Sequence, residues 1–334
     1  MSAHDGDARQ TLGRDGAEAP PALRAWRWLS AAAALATFGL IVLGGVVRIT
    51  GSGMGCGPDW PTCNGQWIPT MDLATFIEWS HRLVAAGVSL LVAGVAAVAW
   101  WPGRGDGWRP YRRMAAAAVA LLLVQVLLGA VTVRLELPPA SVMLHLGTAL
   151  LLLATLLVGW CRAAGPRRRE RTDATALWSW ATAGFAFLVV VAGGVVANLD
   201  AAAACSGFPL CGGEWWPAGG WRTQVHWGHR LLAYGLVAAV AVATAAASST
   251  LRVRSRRPGD PASRRCTVAA AAVVLLQLGV GAAMVTGAFT TAVRALHVTL
   301  GAGAFALLVV AGWTVSRYPA SGGPDSPPPR KANR

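Results

Sequence analysis

The chain has 334 residues, of which 54% are hydrophobic and only 13% are charged, whereas a soluble domain carries about 25% charged residues. Its formal net charge of +14 could indicate a nucleic-acid partner. The arginines, however, lie in short segments between long apolar runs, which is typical of charges that orient a membrane protein. The composition therefore excludes a water-soluble fold, and we expect no nucleic-acid partner.

Eight apolar segments are each long enough to cross a bilayer, which takes about 20 residues of helix. They lie at 29–47, 79–101, 114–133, 142–161, 176–197, 227–248, 267–287 and 296–316. The tail 1–28 contains acidic residues and lacks a signal-peptide n-region, so we expect the first span to be retained. This tail and the proline-rich tail 317–334 are expected to be disordered.

The cations are distributed unevenly between the two sides of these spans. The two tails and the segments 102–113, 162–175 and 249–265 contain 23 of the 29 lysines and arginines. The positive-inside rule therefore predicts cytoplasmic termini, with the long segments 48–78 and 198–226 facing outward. We expect a multi-pass protein of a bacterial inner membrane.

The two halves of the chain repeat one pattern. Gly-Gly-Val-Val begins at Gly44 and again at Gly193. Offsets of 148 to 152 residues also relate Cys56 to Cys205, Cys63 to Cys211, His81 to His229, Gln125 to Gln277, Gly129 to Gly281 and His145 to His297. Each repeat contains an even number of spans, so both enter the membrane in the same orientation. We predict an all-α integral membrane protein of two pseudo-symmetric four-helix bundles, 29–165 and 176–316.

Five of the six histidines lie in or beside apolar spans, where ionisable groups are costly and usually functional. Four belong to the repeat and lie near the outward ends of their spans: His81, His145, His229 and His297. Each half thus has two imidazoles at matched depth on different helices, which can bind a haem iron from both sides. Hydrogen bonding between helices is the plainer alternative. Zinc is disfavoured, because a closed site needs four ligands together and Cys161 and Cys266 lie at the opposite face.

The halves differ three residues before the first histidine of each pair. Glu78 precedes His81 and shares its helix face, whereas His226 precedes His229. Glu78 is either a carboxylate favoured by the helix dipole or a group that handles protons or stabilises charge beside a reacting haem. His226 could compete as a ligand, but the matched spacing and Arg230 favour His229. We expect one half to react and the other to serve it.

Four of the six cysteines form two closely spaced pairs in the outward segments, Cys56 with Cys63 and Cys205 with Cys211. The outer side of a bacterial inner membrane permits disulfides. Each pair is either a structural disulfide that fixes its segment over the bundle or a redox-active pair that exchanges electrons with the site.

These features together resemble the haem A synthase family, whose members oxidise a methyl group of haem O to the formyl group of haem A. The resemblance covers 29–316. It rests on the segment Gly44 to Gly53, the pairs Cys56/Cys63 and Cys205/Cys211, Glu78-x-x-His81-Arg82, His145, His229-Arg230 and His297.

The resemblance implies a haem b cofactor between His229 and His297, and the substrate haem O between His81 and His145. Glu78 would stabilise charge on the methyl carbon during successive hydroxylations with water. Haem A would serve terminal oxidase assembly, with haem O synthase and cytochrome oxidase assembly factors as partners. Membrane lipid would surround the site, and a membrane quinone is the expected electron acceptor.

Two other functions explain part of the pattern. A di-haem electron-transfer cytochrome accounts for the histidines, although Glu78 in only one half argues against it. A quinone-linked thiol oxidoreductase accounts for the cysteine pairs but leaves the four repeated histidines unexplained.

Overall fold

A computed structural model describes residues 20–103, 105–164, 169–170, 174–253 and 261–318. This part of the chain contains eight long helices. They are α1 (Pro21–Ile49), α2 (Leu73–Trp100), α3 (Arg109–Arg134), α4 (Pro139–Ala164), α5 (Ala174–Asn198), α6 (Trp221–Val253), α7 (Pro261–Val285) and α8 (Thr291–Val315). A short 3₁₀ helix (Asp106–Trp108) precedes α3, and the two-residue strands β1 (Arg169–Glu170) and β2 (Arg317–Tyr318) pair antiparallel.

All eight long helices are apolar enough over a sufficient length to cross a membrane, which confirms the eight predicted spans. The helices extend beyond several of those spans. Residues 21–28, which we assigned to the disordered tail, form the first two turns of α1. The tail expected at 317–334 begins with β2. The rest of both tails, 1–19 and 319–334, lies outside the described residues.

Side-chain caps set the start of two helices that contain repeated histidines. The side chain of Asp72 accepts a hydrogen bond of 2.7 Å from the backbone N–H of Thr75 at the start of α2. This bond lowers the pKa of Asp72. Thr290 caps α8 in the same way by accepting a bond from Val293 N–H. Such caps satisfy backbone donors that a helix leaves free at its first turn.

The helices of each half form a closed ring. In the first half, α1 and α3 each pack against both α2 and α4; in the second, α5 and α7 each pack against both α6 and α8. The halves meet where α4 packs on α5 and α8 and where α1 packs on α8. Boundaries of 29–165 and 176–316, and a repeat axis along the membrane normal, stay predictions.

The second glycine of each Gly-Gly-Val-Val motif lies against the other half. A Cβ on Gly45 would come within 2.7 Å of Val298 on α8, and a Cβ on Gly194 within 2.8 Å of Met143 on α4. Small residues allow membrane helices to approach closely. Glycine at these positions therefore permits the contact between the halves.

A polar contact joins the halves at the end of the molecule that carries the loops 50–72 and 199–220, here called the loop end. Arg48, near the end of α1, donates to the side chain of Asn198 at 2.9 Å and to the carbonyl oxygen of Ala197 at 3.0 Å. It also lies 3.4 Å from Asp200. Exposed ion pairs of this kind contribute little stability by themselves, but the three contacts hold the ends of α1 and α5 together.

Trp26 anchors the opposite end of the first half. Its ring is 1% exposed, donates a 3.0 Å hydrogen bond to the Gly159 carbonyl oxygen and packs edge-on against Trp108 and Tyr111. We expect Trp26→Ala to lower the free energy of unfolding by about 3 kcal/mol, the usual cost of truncating a buried aromatic side chain. Unfolding in detergent micelles measures the change.

The control for this substitution is Trp28→Ala, because the Trp28 side chain is 65% exposed only two residues away. A loss of stability equal to that of Trp26→Ala would show that burial of Trp26 does not stabilise the fold.

Candidate functional site

A cavity of about 1010 Å³ lies among helices of both halves, slightly above the range of about 300–1,000 Å³ that is usual for ligand sites. Its wall is mainly apolar side chains and glycines. The polar groups on the wall include Glu78 and the four repeated histidines, His81, His145, His229 and His297. The structure thus brings together at one cavity the side chains predicted to hold haem and to act on it.

Each repeated histidine ring lies directly against a glycine of the preceding helix. The distances from the ring Cε1 to the position of a Cβ on that glycine are 3.2 Å for Gly44–His81, 3.3 Å for Gly129–His145, 3.0 Å for Gly193–His229 and 3.2 Å for Gly281–His297. Any larger residue would push the ring away. The backbone of one helix therefore positions the imidazole of the next.

The imidazoles are paired within each half. His81 and His145 line the cavity from α2 and α4, and His229 and His297 line it from α6 and α8. The second member of each pair accepts a hydrogen bond from a glutamine of the preceding helix. Gln125 Nε2 lies 3.0 Å from His145 Nε2, and the equivalent Gln277–His297 distance is 3.2 Å. An amide nitrogen only donates, so these imidazoles present an Nε2 lone pair.

The other ring nitrogens have no internal partner. Among the described residues, Nδ1 of His81, His145, His229 and His297 is buried without a hydrogen bond. Leaving a buried polar atom unpaired costs about 1–3 kcal/mol. An Nδ1 that carries the proton cannot bind iron, so His145 and His297 would bind a ligand through the Nε2 atoms that their glutamines contact. Among the same residues, no three histidine, cysteine, aspartate or glutamate side chains form a group able to hold a metal ion.

Glu78 is buried at the loop end of the cavity, with 3% of its surface exposed. One carboxylate oxygen accepts a 2.8 Å hydrogen bond from the backbone N–H of Cys56, and the other lies 2.6 Å from the Arg82 guanidinium. Both partners are donors, which suits a carboxylate anion. The side chain is therefore held in one orientation between α2 and the loop that precedes it.

The same arginine binds the loop itself. Arg82 Nη1 donates to the carbonyl oxygens of Asp59 at 2.8 Å and Thr62 at 2.5 Å. In the second half, Arg230 Nη1 donates to the carbonyl oxygens of Gly207 and Leu210 at 2.8 and 3.0 Å. From the sequence, both arginines were identified only as members of repeated motifs, and their hydrogen bonds to the loops were not predicted. The repeated His-Arg dipeptide could have indicated these bonds.

Both predicted cysteine pairs form disulfides, Cys56–Cys63 and Cys205–Cys211. All four cysteines are buried. Cys63 lies on the cavity wall, whereas the second pair packs against Trp227 in a separate cluster. The first disulfide is thus adjacent to Glu78 and to the cavity, whereas the second is not part of the cavity wall.

His226, the counterpart of Glu78, has a different hydrogen-bond partner. Its Nδ1 lies 3.0 Å from the carbonyl oxygen of Ala201, and the residue is buried. Arg230 bonds instead to the carbonyl oxygen of Cys205. The second half therefore keeps the arginine-to-loop contacts but has no carboxylate at the equivalent place. The remaining cysteines, Cys161 and Cys266, form no disulfide in the described part of the chain.

Comparison with known proteins covers nearly the whole membrane region. The family profile of the cytochrome oxidase assembly proteins, COX15-CtaA, matches residues 26–75 and 71–311. The "Heme A synthase" of an Exiguobacterium species is 33% identical over 267 residues, 78% of this chain and 83% of that protein. The "Heme A synthase" of Geobacillus kaustophilus is 32% identical over 70% of this chain and 75% of that protein. That of Bacillus licheniformis is 33% identical over 66% of this chain and 75% of that protein. The chain belongs to the COX15-CtaA family of cytochrome oxidase assembly proteins.

Proposed function

We propose that this multi-pass membrane protein is a haem A synthase, an oxidoreductase that converts the methyl group of haem O to the formyl group of haem A. The observation that carries the proposal is the shared cavity with two imidazole pairs and one buried glutamate beside only one of them. Its curated relatives are named for this activity.

The residues present fit two haems. The imidazoles of each pair lie on different helices that line one cavity, and each ring packs against a glycine of the preceding helix. We assign the substrate haem O to His81 and His145, and a haem b cofactor to His229 and His297. When bound, haem b supplies one-electron transfer. The buried carboxylate of Glu78, held by the Cys56 N–H, supports this division. Its counterpart in the second half, His226, is hydrogen-bonded to a backbone carbonyl oxygen and supplies no carboxylate.

Conversion of the methyl group to a formyl group takes its oxygen from one water molecule and releases four electrons and four protons. Two histidine ligands leave no open coordination position on the substrate's iron for O₂, which favours stepwise removal of electrons and attack by water. The four electrons leave through the C-terminal half to two membrane quinones, each of which takes up two electrons and two protons.

Glu78 performs the charge-stabilising step in this scheme. A buried carboxylate favours positive charge that develops on the neighbouring methyl carbon, because the electrostatic interaction is strong where water is excluded. It can also accept a proton from the attacking water. Arg82 and the Cys56 N–H keep the carboxylate oriented, so its orientation depends on the disulfide loop.

We place the protein in a bacterial inner membrane with both termini cytoplasmic, as the arginine distribution supports. The loop end then faces the oxidising side, in agreement with the disulfides. A prenylated haem reaches such a cavity from the surrounding lipid. Haem O synthase would supply the substrate, and cytochrome oxidase assembly factors would receive the product.

The histidine assignment predicts the effect of single substitutions in the C-terminal half. His229→Ala and His297→Ala should each remove low-spin haem b from the purified protein, because one imidazole no longer completes the ligand pair. Visible absorbance and a pyridine-haemochrome assay measure this loss. His226→Gln is the matched control, since it is a buried histidine on the same helix that bonds to Ala201. Full haem retention in His297→Ala would reject the ligand pair.

Removal of the Glu78 charge should separate binding from chemistry. We expect Glu78→Gln to retain both haems but to form haem A at least about 100-fold more slowly, the usual effect of removing a charge-stabilising group. Haems extracted from the membranes and separated by chromatography give the ratio of haem A to haem O. Glu214→Gln, an exposed glutamate of the second loop, is the control. An unchanged ratio in Glu78→Gln would remove its catalytic role.

The two disulfides should have different roles. A double substitution of Cys56 and Cys63 by serine should slow haem A formation while haem b is retained, because the loop that orients Glu78 loses about 2 kcal/mol of entropic restraint. The same change at Cys205 and Cys211 should leave the conversion rate nearer to that of the wild type. Residual haem A in the first variant supports a structural disulfide, and complete loss with Glu78 still ordered supports electron exchange through the sulfurs.

A further inference from the structure

The charged groups on the cavity wall are strongly unbalanced. Among the described residues, four arginines line the cavity, Arg48, Arg82, Arg230 and Arg294, against a single carboxylate, that of Glu78. Because a partly apolar cavity strengthens electrostatic interactions, this excess of cations favours a ligand that carries negative charge.

Three of these arginines are bonded within the protein. Arg82 binds Glu78 and loop carbonyl oxygens, Arg230 binds the equivalent loop, and Arg48 binds the end of α5. Each of these guanidinium groups therefore has a structural role already.

Arg294 differs from the other three. Its guanidinium lies 5.0 Å from the centre of the Phe289 ring, and Phe289 also lines the cavity. Within the part of the chain that the structure describes, no carboxylate or carbonyl oxygen is recorded as a partner of this guanidinium. The aromatic contact orients the group but leaves its in-plane N–H donors available, and these donors match the two oxygens of a carboxylate.

The position of Arg294 connects it to one haem site. It lies three residues before His297 on α8, and residues three apart share a helix face. The equivalent residue of the first half, 152 positions earlier, is Val142. A cation three residues before the second histidine of the pair is therefore a feature of the second half alone, as the carboxylate of Glu78 is a feature of the first.

We propose that Arg294 binds a propionate carboxylate of the haem held between His229 and His297. This contact makes the site prefer a haem with free carboxylates over an esterified haem, and it fixes the orientation of the cofactor. This inference rests on the proposed function, which supplies the haem. The anionic headgroup of a lipid has similar chemistry, and the experiment below separates the two sources.

The test compares the binding of haem b and of its dimethyl ester, which lacks the carboxylate charges. Full-length protein is prepared without haem in a His81→Ala background, so that only the C-terminal pair binds, and is titrated in neutral detergent by visible absorbance. We expect the parent protein to bind the acid about 10-fold more tightly than the ester, a typical value for a charged hydrogen bond. Arg294→Gln should abolish this preference, and Arg294→Lys should retain part of it.

Arg134→Gln is the matched control, because Arg134 lies at the loop end of α3, is exposed and is not part of the cavity wall. It should keep the full preference for the acid. If Arg294→Gln fails to fold, the Arg294→Lys titration decides the question.

The assignment would be overturned if Arg294→Gln preferred the acid over the ester as strongly as the parent protein does. If only Arg294→Lys folds, the same result in that variant would overturn it. Arg294-dependent binding of anionic phospholipid by the protein, together with equal affinities of the parent protein for the acid and the ester, would also overturn it in favour of a lipid headgroup. Absence of any haem binding by the parent protein would instead refute the proposed function itself, so the two failures are distinguishable.

Discussion

Close packing of a half-buried imidazole against a bare helix backbone is the interaction on which the site depends. At His81 and His229, the ring lies so near the first glycine of a Gly-Gly-Val-Val motif that a Cβ at that position would force the ring to shift. The second glycine of each motif, Gly45 or Gly194, allows a helix of the other half to approach. One short motif thus positions a histidine within its half and joins the two halves beside the cavity.

The two halves share this framework and differ in the charged groups placed around it. Arg82 and Arg230 hold equivalent loops by equivalent carbonyl oxygens. The first half adds a buried carboxylate that is tied to its disulfide loop, and the second adds Arg294 near its histidine pair. A duplicated scaffold with local differences of this kind can keep one haem as a stable cofactor while it admits another as substrate.

Much of the fold could be predicted because its signals are local. Long apolar runs identify eight helices, and polar residues that recur inside such runs identify the histidine pairs. The start of α1 at Pro21 was missed because residues 21–28 are not uniformly apolar, although Trp26 is buried there. Hydropathy gives no information on how such a segment packs.

The parts of the site that could not be predicted involve residues distant in sequence. The contact between Glu78 and the Cys56 N–H spans 22 positions, and the contacts of each histidine with a glycine join different helices. Both motifs were visible in the sequence, but only the folded chain relates them. Arg294 was likewise seen only as one of a few outward cations, since its place on the cavity wall depends on how α8 packs.

Ligation of two haem irons, each by a histidine pair, is the central claim. Electron paramagnetic resonance of the oxidised full-length protein, loaded with haem b and haem O, tests it most directly. Two distinct low-spin ferric signals, as expected for iron with two imidazole ligands, are the predicted result. A high-spin signal from either haem, or a single low-spin species at full loading, would contradict paired histidine ligation in the two halves.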